Sequence, residues 1–187
     1  MKKNILLIVI SLFSITLSQA QEILKINTAK STLKWYGEYT FFFNGHDGAI
    51  SFKDGHFIKT NDKITGGEFI IDMNSITNAD IKTEDANTSL VNHLKDQDFF
   101  DVKNFPLSKL VITNVSYHDG TSMQIDANLI IKGITESIRF QAEVDYKKEQ
   151  MTTKFKIDRK RWGVNYESKM KNSAISDAIG FEVKLSL

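Results

Sequence analysis

From residue 138 to 146 the chain alternates without a fault. Ile138, Phe140, Ala142, Val144 and Tyr146 are apolar, and Arg139, Gln141, Glu143 and Asp145 between them are charged or polar. Successive side chains of an extended backbone point to opposite faces, so this period of two is a strand with one face in a core and one in water. Met123, Ile125, Ala127, Leu129 and Ile131 carry the same pattern just upstream, and Lys132-Gly133 separates the two runs as a hairpin turn would. The C-terminus repeats it with Ile179, Phe181, Val183, Leu185 and Leu187. Phe69, Ile71 and Met73 follow Gly66-Gly67, read as a turn. Leu33 with Trp35, Ile50 with Phe52, residues 111–115, and Thr153, Phe155 and Ile157 bring the set to about eight strands.

One stretch has a different period. Over residues 85–97, Ala86, Leu90 and Leu94 fall four apart with Val91 beside them, which predicts a single helix with Asp85 as its N-cap. Nothing splits the chain into two domains. Many short strands and one helix are compatible with a sandwich or a closed barrel, and periodicity does not choose between them.

The N-terminus has another use. Lys2 and Lys3 precede a mostly apolar run over residues 5–17, and Ser18-Gln19-Ala20 offers small residues at the two positions a signal peptidase reads. The run is shorter than the roughly twenty residues a bilayer span requires. Residues 1–20 are therefore expected to be a signal peptide cleaved after Ala20. Residues 21–187 would then form one exported domain, periplasmic or secreted, without stable membrane insertion. No cysteine occurs anywhere, which removes disulfides, thiolate metal sites and a thiol-linked lipid anchor.

Charge and motif content narrow the function. The chain carries 24 Lys and Arg against 23 Asp and Glu, and loss of Lys2 and Lys3 turns the net charge of +1 into −1. That balance gives no electrostatic reason to expect nucleic acid. There is no Gly-x-Ser-x-Gly elbow, and His46, His56, His93 and His118 stand in unrelated segments, so no catalytic residues are assigned. His46 and His56 lack the spacing of zinc ligands, and Asp96, Asp98 and Asp101 lack the glycine and glutamate of a calcium loop. No metal and no cofactor is expected. His93 reads as a hydrogen-bonded histidine where helix meets barrel. Asp158 and Arg159 read as a charged pair locking a strand end, with Trp162 packed beneath. The abundant aromatics, thirteen Phe among them, point to bulk packing instead of polar chemistry.

Three blocks carry a resemblance. The first is Asn92-His93-Leu94-Lys95-Asp96-Gln97-Asp98-Phe99-Phe100-Asp101-Val102 followed by Phe105-Pro106. The second runs from Ala127 through Gly133 and Thr135 to Ile138. The third joins Phe155, Ile157, Asp158 and Arg159 to Trp162-Gly163 and Ile175-Ser176-Asp177. In order and spacing they resemble the YceI-like polyisoprenoid-binding family over nearly all of residues 21–187. The resemblance implies a mainly β fold, an antiparallel eight-stranded lipocalin-like β-barrel with one packed α-helix. It also implies an elongated apolar cavity for an isoprenoid or long-chain lipid, and no enzyme activity. Lys30-Ser31 stands where relatives carry a His-Ser pair, no histidine stands near Gly37-Glu38, and Val91-Asn92 replaces an Arg-Asp pair, which leaves the ligand's head group unspecified.

The apolar sides of the alternating strands supply the expected lining: Trp35, Phe69, Ile71, Leu129, Phe140 and Phe181, with Phe99 at the mouth. Small inward residues, Ala127 and Ala142, are expected to leave room for the chain, so Ala142→Phe should displace ligand without loss of stability. The rival reading is a solid-cored β-barrel that serves as a structural or protein-interaction module.

Overall fold

A computed structural model describes residues 21–39, 45–167 and 175–187; the expected leader lies outside them. The alternating segments form nine strands. They are β1 (Gln21–Lys25), β2 (Thr32–Tyr39), β3 (Gly45–Thr60), β4 (Lys63–Asp72), β5 (Leu107–Tyr117), β6 (Ser122–Ile131), β7 (Ile134–Asp145), β8 (Gln150–Asp158) and β9 (Ile175–Ser186). Every pairing is antiparallel. β2 to β9 pair in sequence order, and β9 returns to β2, so eight strands close a barrel. Closure depends on β3, which pairs with β2 through its first half and with β4 through its second. The short β1 continues the β2 side of β3, from Lys25 opposite His56 to Gln21 opposite Thr60.

The barrel therefore has two unlike ends. One holds the β3–β4, β5–β6 and β7–β8 turns. Phe57, Ile64, Met123 and Ile125 pack there with essentially no exposure. The other receives the β6–β7 turn, the connection from β4 to β5 with α1 (Glu84–Lys95), and the 3₁₀ turn Arg159–Trp162 after β8. Trp162 is fully buried there, and its indole Nε1 donates to the Leu129 carbonyl at 2.9 Å.

Local chemistry explains the turns and corrects two expectations. Lys132 and Gly133 both have positive φ, 50° and 73°, the backbone that fits a two-residue turn to twisted strands. Gly66-Gly67 is not a turn. The reversal lies at Asn61-Asp62, with φ of 49° and 62°, and the glycines stand inside β4 where its register with β3 shifts. A Cβ on Gly67 would lie 2.7 Å from the His56 carbonyl oxygen, so the residue is small because two backbones approach there.

The helix begins at Glu84 and ends at Lys95, with Thr83 as N-cap, so Asp85 sits in the first turn instead of capping it. A carboxylate there still suits the positive end of the helix. Leu94 is buried, Leu90 and Val91 half-buried, and Ala86 exposed. The first turn is held by Asn87, whose amide donates to the carbonyls of Asn78 and Ile81. Among the described residues no helix is long and apolar enough to cross a membrane.

Candidate functional site

Inside the barrel lies a cavity of about 80 Å³ that no polar atom of the described residues faces. Its wall is built from alternate residues of all eight barrel strands: Leu33 from β2, Ile50 and Phe52 from β3, Phe69 and Ile71 from β4, Ser108, Leu110 and Ile112 from β5. Leu129 and Ile131 from β6, Phe140 from β7, Met151, Thr153 and Phe155 from β8, and Phe181, Val183 and Leu185 from β9 complete it, with Met73 and Phe100 beside the helix. Period two is what gathers them, since each strand offers every second side chain to one interior.

Five of the seven residues expected to line the interior meet here: Phe69, Ile71, Leu129, Phe140 and Phe181. Trp35 does not line the cavity. It is buried opposite Gly48, and its indole Nε1 donates to the Thr77 carbonyl at 3.0 Å, holding the segment after β4 against the barrel. Phe99 packs with His93 and Tyr166 at ring-centroid distances of 5.6 and 6.0 Å, and its neighbour Phe100 reaches the cavity instead. Alternation could not separate these two, because they follow a helix and share no strand period. Phe52 and Phe155 stand on alternating segments but were not among the expected lining, and Met151 lies two residues before the segment read from Thr153. Ala127 and Ala142 point inward and are buried, yet neither borders the cavity. Ala142 stands between Met123 and Thr153, in the packed part of the barrel.

A family model for the YceI-like domain matches residues 24–187. The chain belongs to the YceI-like family. Solved structures agree on the fold of this YceI-like barrel. Burkholderia cenocepacia BcnA superposes with a TM-score of 0.70 at 19% identity, covering 86% of this chain and 98% of that one. A Campylobacter jejuni YceI protein gives 0.50 at 18% identity, covering 65% and 72%. No curated protein matches the sequence.

Polar groups of the YceI-like barrel gather outside the cavity. Arg159 is 2% exposed, and its guanidinium donates to the carbonyls of Val164 at 2.5 Å and Ser176 at 3.2 Å. Its carboxylate partner is Asp177, at 3.5 Å, not the adjacent Asp158, which instead accepts from the Lys160 N–H to cap the 3₁₀ turn. The charged strand end is thus an internal clamp that ties the turn after β8 to Val164 and to the start of β9. A second cluster ties β3 to the segment before α1. Asp80 stands 2.8 Å from His46 Nδ1 and accepts from the Asp47 N–H at 3.0 Å and from the Asn78 amide. Partial burial alone would raise the Asp80 carboxyl, but His46, the Asp47 N–H and the Asn78 amide outweigh it and hold the group at about 2.

His93, Asp96 and Asp98 could offer three ligand atoms within 4.8 Å of one another. Both carboxylates are exposed at the end of α1, and His93 is engaged edge-on with Tyr166 at 4.4 Å. Among the described residues the Nε2 atom of His93 is buried without a hydrogen-bond partner, while its Nδ1 stands 3.8 Å from Asp98 Oδ1. Its ring packs against two aromatic rings, Phe99 and Tyr166.

Proposed function

We propose that this YceI-like protein binds a polyisoprenoid or other long-chain amphiphile in the barrel, as a carrier or sequestering protein, and carries out no reaction on it. The observation behind this is the cavity itself, faced by no polar atom and walled by Phe, Leu, Ile and Met from around the barrel. A hydrocarbon chain gains about 0.8 kcal/mol for each methylene removed from water, so many mild contacts suffice and no single polar residue need be indispensable. Catalysis requires groups aimed at a reacting atom, and the two buried or half-buried polar clusters are spent on the fold: Arg159 on backbone carbonyls, Asp80 on β3. We further propose that residues 1–20 are removed on export and that the mature protein acts in the periplasm or outside the cell.

One dimension of the cavity favours the rival solid-cored reading. A void of about 80 Å³ is smaller than the roughly 150 Å³ apolar cavity known to admit benzene. Binding a long chain therefore requires side chains to swing out of the lumen, and the half-buried Phe155 and Phe181 are the best placed to do so. Mass spectrometry of organic extracts from the purified mature protein separates the readings. A stoichiometric prenyl or long-chain species is expected. Its absence from every preparation, together with no uptake of added polyprenol, would leave the solid-cored module.

A further inference from the structure

The wall between β7 and β8 is zipped along only part of its length. Paired rungs run from Asp145–Gln150 to Ala142–Thr153 and stop, although β7 extends back to Ile134 and β8 on to Asp158. Neither strand is frayed. β7 stays paired with β6 down to Ile134, and β8 with β9 as far as Asp158. The gap thus lies between two halves of the barrel that are each well held. Backbone groups facing it must find other partners. The Gln141 carbonyl accepts from Thr153 Oγ1 at 2.6 Å, and the Ser137 carbonyl from Arg161 Nη2 at 3.0 Å. Arg161 also reaches Glu136 at 2.6 Å, tying the far end of the seam.

What fills the seam is aromatic. With the register continued, Phe140 faces Phe155, and their rings stack at 4.7 Å with 19° between planes; Phe181 follows at 5.5 Å. All three line the cavity. Phe155 and Phe181 are only half-buried, although Thr153, Ile157, Ile179 and Val183 on either side of them are buried. Leu110 is the other half-buried lining residue, but it is paired on both sides, with Phe69 and Leu129, so this stack is where half-buried lining coincides with an unpaired wall. The β4–β5 ladder also stops short, beyond Gly67–Ile112, but it is sealed differently. There the Tyr117 hydroxyl accepts from the Ile64 N–H at 2.9 Å, and Ile64 is 2% exposed.

We propose that the β7–β8 seam is the portal through which a hydrocarbon chain enters and leaves the barrel, with the Phe140–Phe155 stack as gate and the Arg161–Glu136 pair as latch. The proposal rests on the lipid-binding reading. A gate lowers entry and exit rates together and leaves the equilibrium affinity nearly unchanged, which gives it a kinetic signature.

The cysteine-free chain allows a direct test. Arg139→Cys with Lys156→Cys places two thiols opposite each other on the outer face of the seam, for stapling with a short bis-maleimide. Val111→Cys with Asn128→Cys places the same staple across a paired rung of β5 and β6. Uptake and release of cis-parinaric acid are then followed by stopped-flow fluorescence. The seam staple should slow both at least tenfold, and the control staple should change neither. Equal rates with the seam stapled overturn the portal. If the stapled protein loses its native circular dichroism, Arg161→Ala decides: faster uptake and release support the portal, and unchanged rates overturn it. Failure of the wild-type protein to take up either cis-parinaric acid or added polyprenol defeats the lipid reading, and the portal falls with it.

Discussion

Arg159 shows how much of this fold hangs on single polar side chains placed outside the lumen. Its guanidinium satisfies two backbone carbonyls in a site almost closed to water. Orphaning a buried acceptor costs about 1–3 kcal/mol. Arg159→Ala should therefore lower the melting temperature by at least roughly 4 °C in a domain of this size. Lipid bound per folded molecule should stay constant, as native mass spectrometry can check. Asp80 predicts a pH dependence. Its folded carboxyl titrates at about 2, below the ordinary value of about 3.9, so its stabilising contribution is complete above pH 4. That contribution is lost as the pH falls from about 4 to 2. Wild type should melt above Asp80→Asn at pH 6, and the gap should close through that window. Neither role could be read from sequence in full. The charge run at residues 158–161 marked a strand end, but Arg159's carboxylate, Asp177, lies 18 positions downstream on β9. Asp80 had no signature at all, because His46 and Asp47 reach it from β3, more than thirty positions away.

Elements were legible where their period was unbroken. β6, β7 and β9 could be read almost residue by residue, since a face half in water writes its geometry into every second position. The reading failed where a side chain's use depends on what crosses above it. Trp35 lies on the apolar side of β2, but its indole is committed to Thr77. The crossing is close: a Cβ on Gly48 would stand 1.8 Å from the Thr77 carbonyl oxygen. Gly48→Ala should cost at least the 1–3 kcal/mol typical of overpacking (about that order), measurable by urea denaturation. Ala142 failed for the same kind of reason, because alternation reports inward direction and not where along the lumen a void lies. Ala142→Phe should destabilise the protein by about 1–3 kcal/mol, against the sequence-based expectation. Ser108, which borders the cavity opposite Ile71, is the better position for a ligand test. Ser108→Leu should fill the void, raise the melting temperature slightly and abolish co-purifying lipid.

At the scale of the molecule, the barrel, its helix and its family could be reached from the sequence, while the lumen's near-complete filling could not. Volume is a sum over opposed side chains, and no single strand records it. If the leader is cleaved as expected, the intact mass of exported protein should correspond to a chain starting at Gln21. Full-length chain recovered from the membrane fraction would contradict that. Closure by β9 has a further consequence, for biosynthesis. Thr32 pairs with Lys184, so the first barrel strand to leave the ribosome waits for the last. At about 5–20 residues per second, the intervening 150 or so residues take roughly 7–30 s to synthesise. Throughout that interval β2 carries an open edge, the kind of surface on which nascent chains aggregate. Loss of the final strand would make the condition permanent, leaving β2 and β8 as two unpaired edges of an open sheet. A premature stop before residue 175 should therefore yield inclusion bodies or degradation products, and not a smaller barrel.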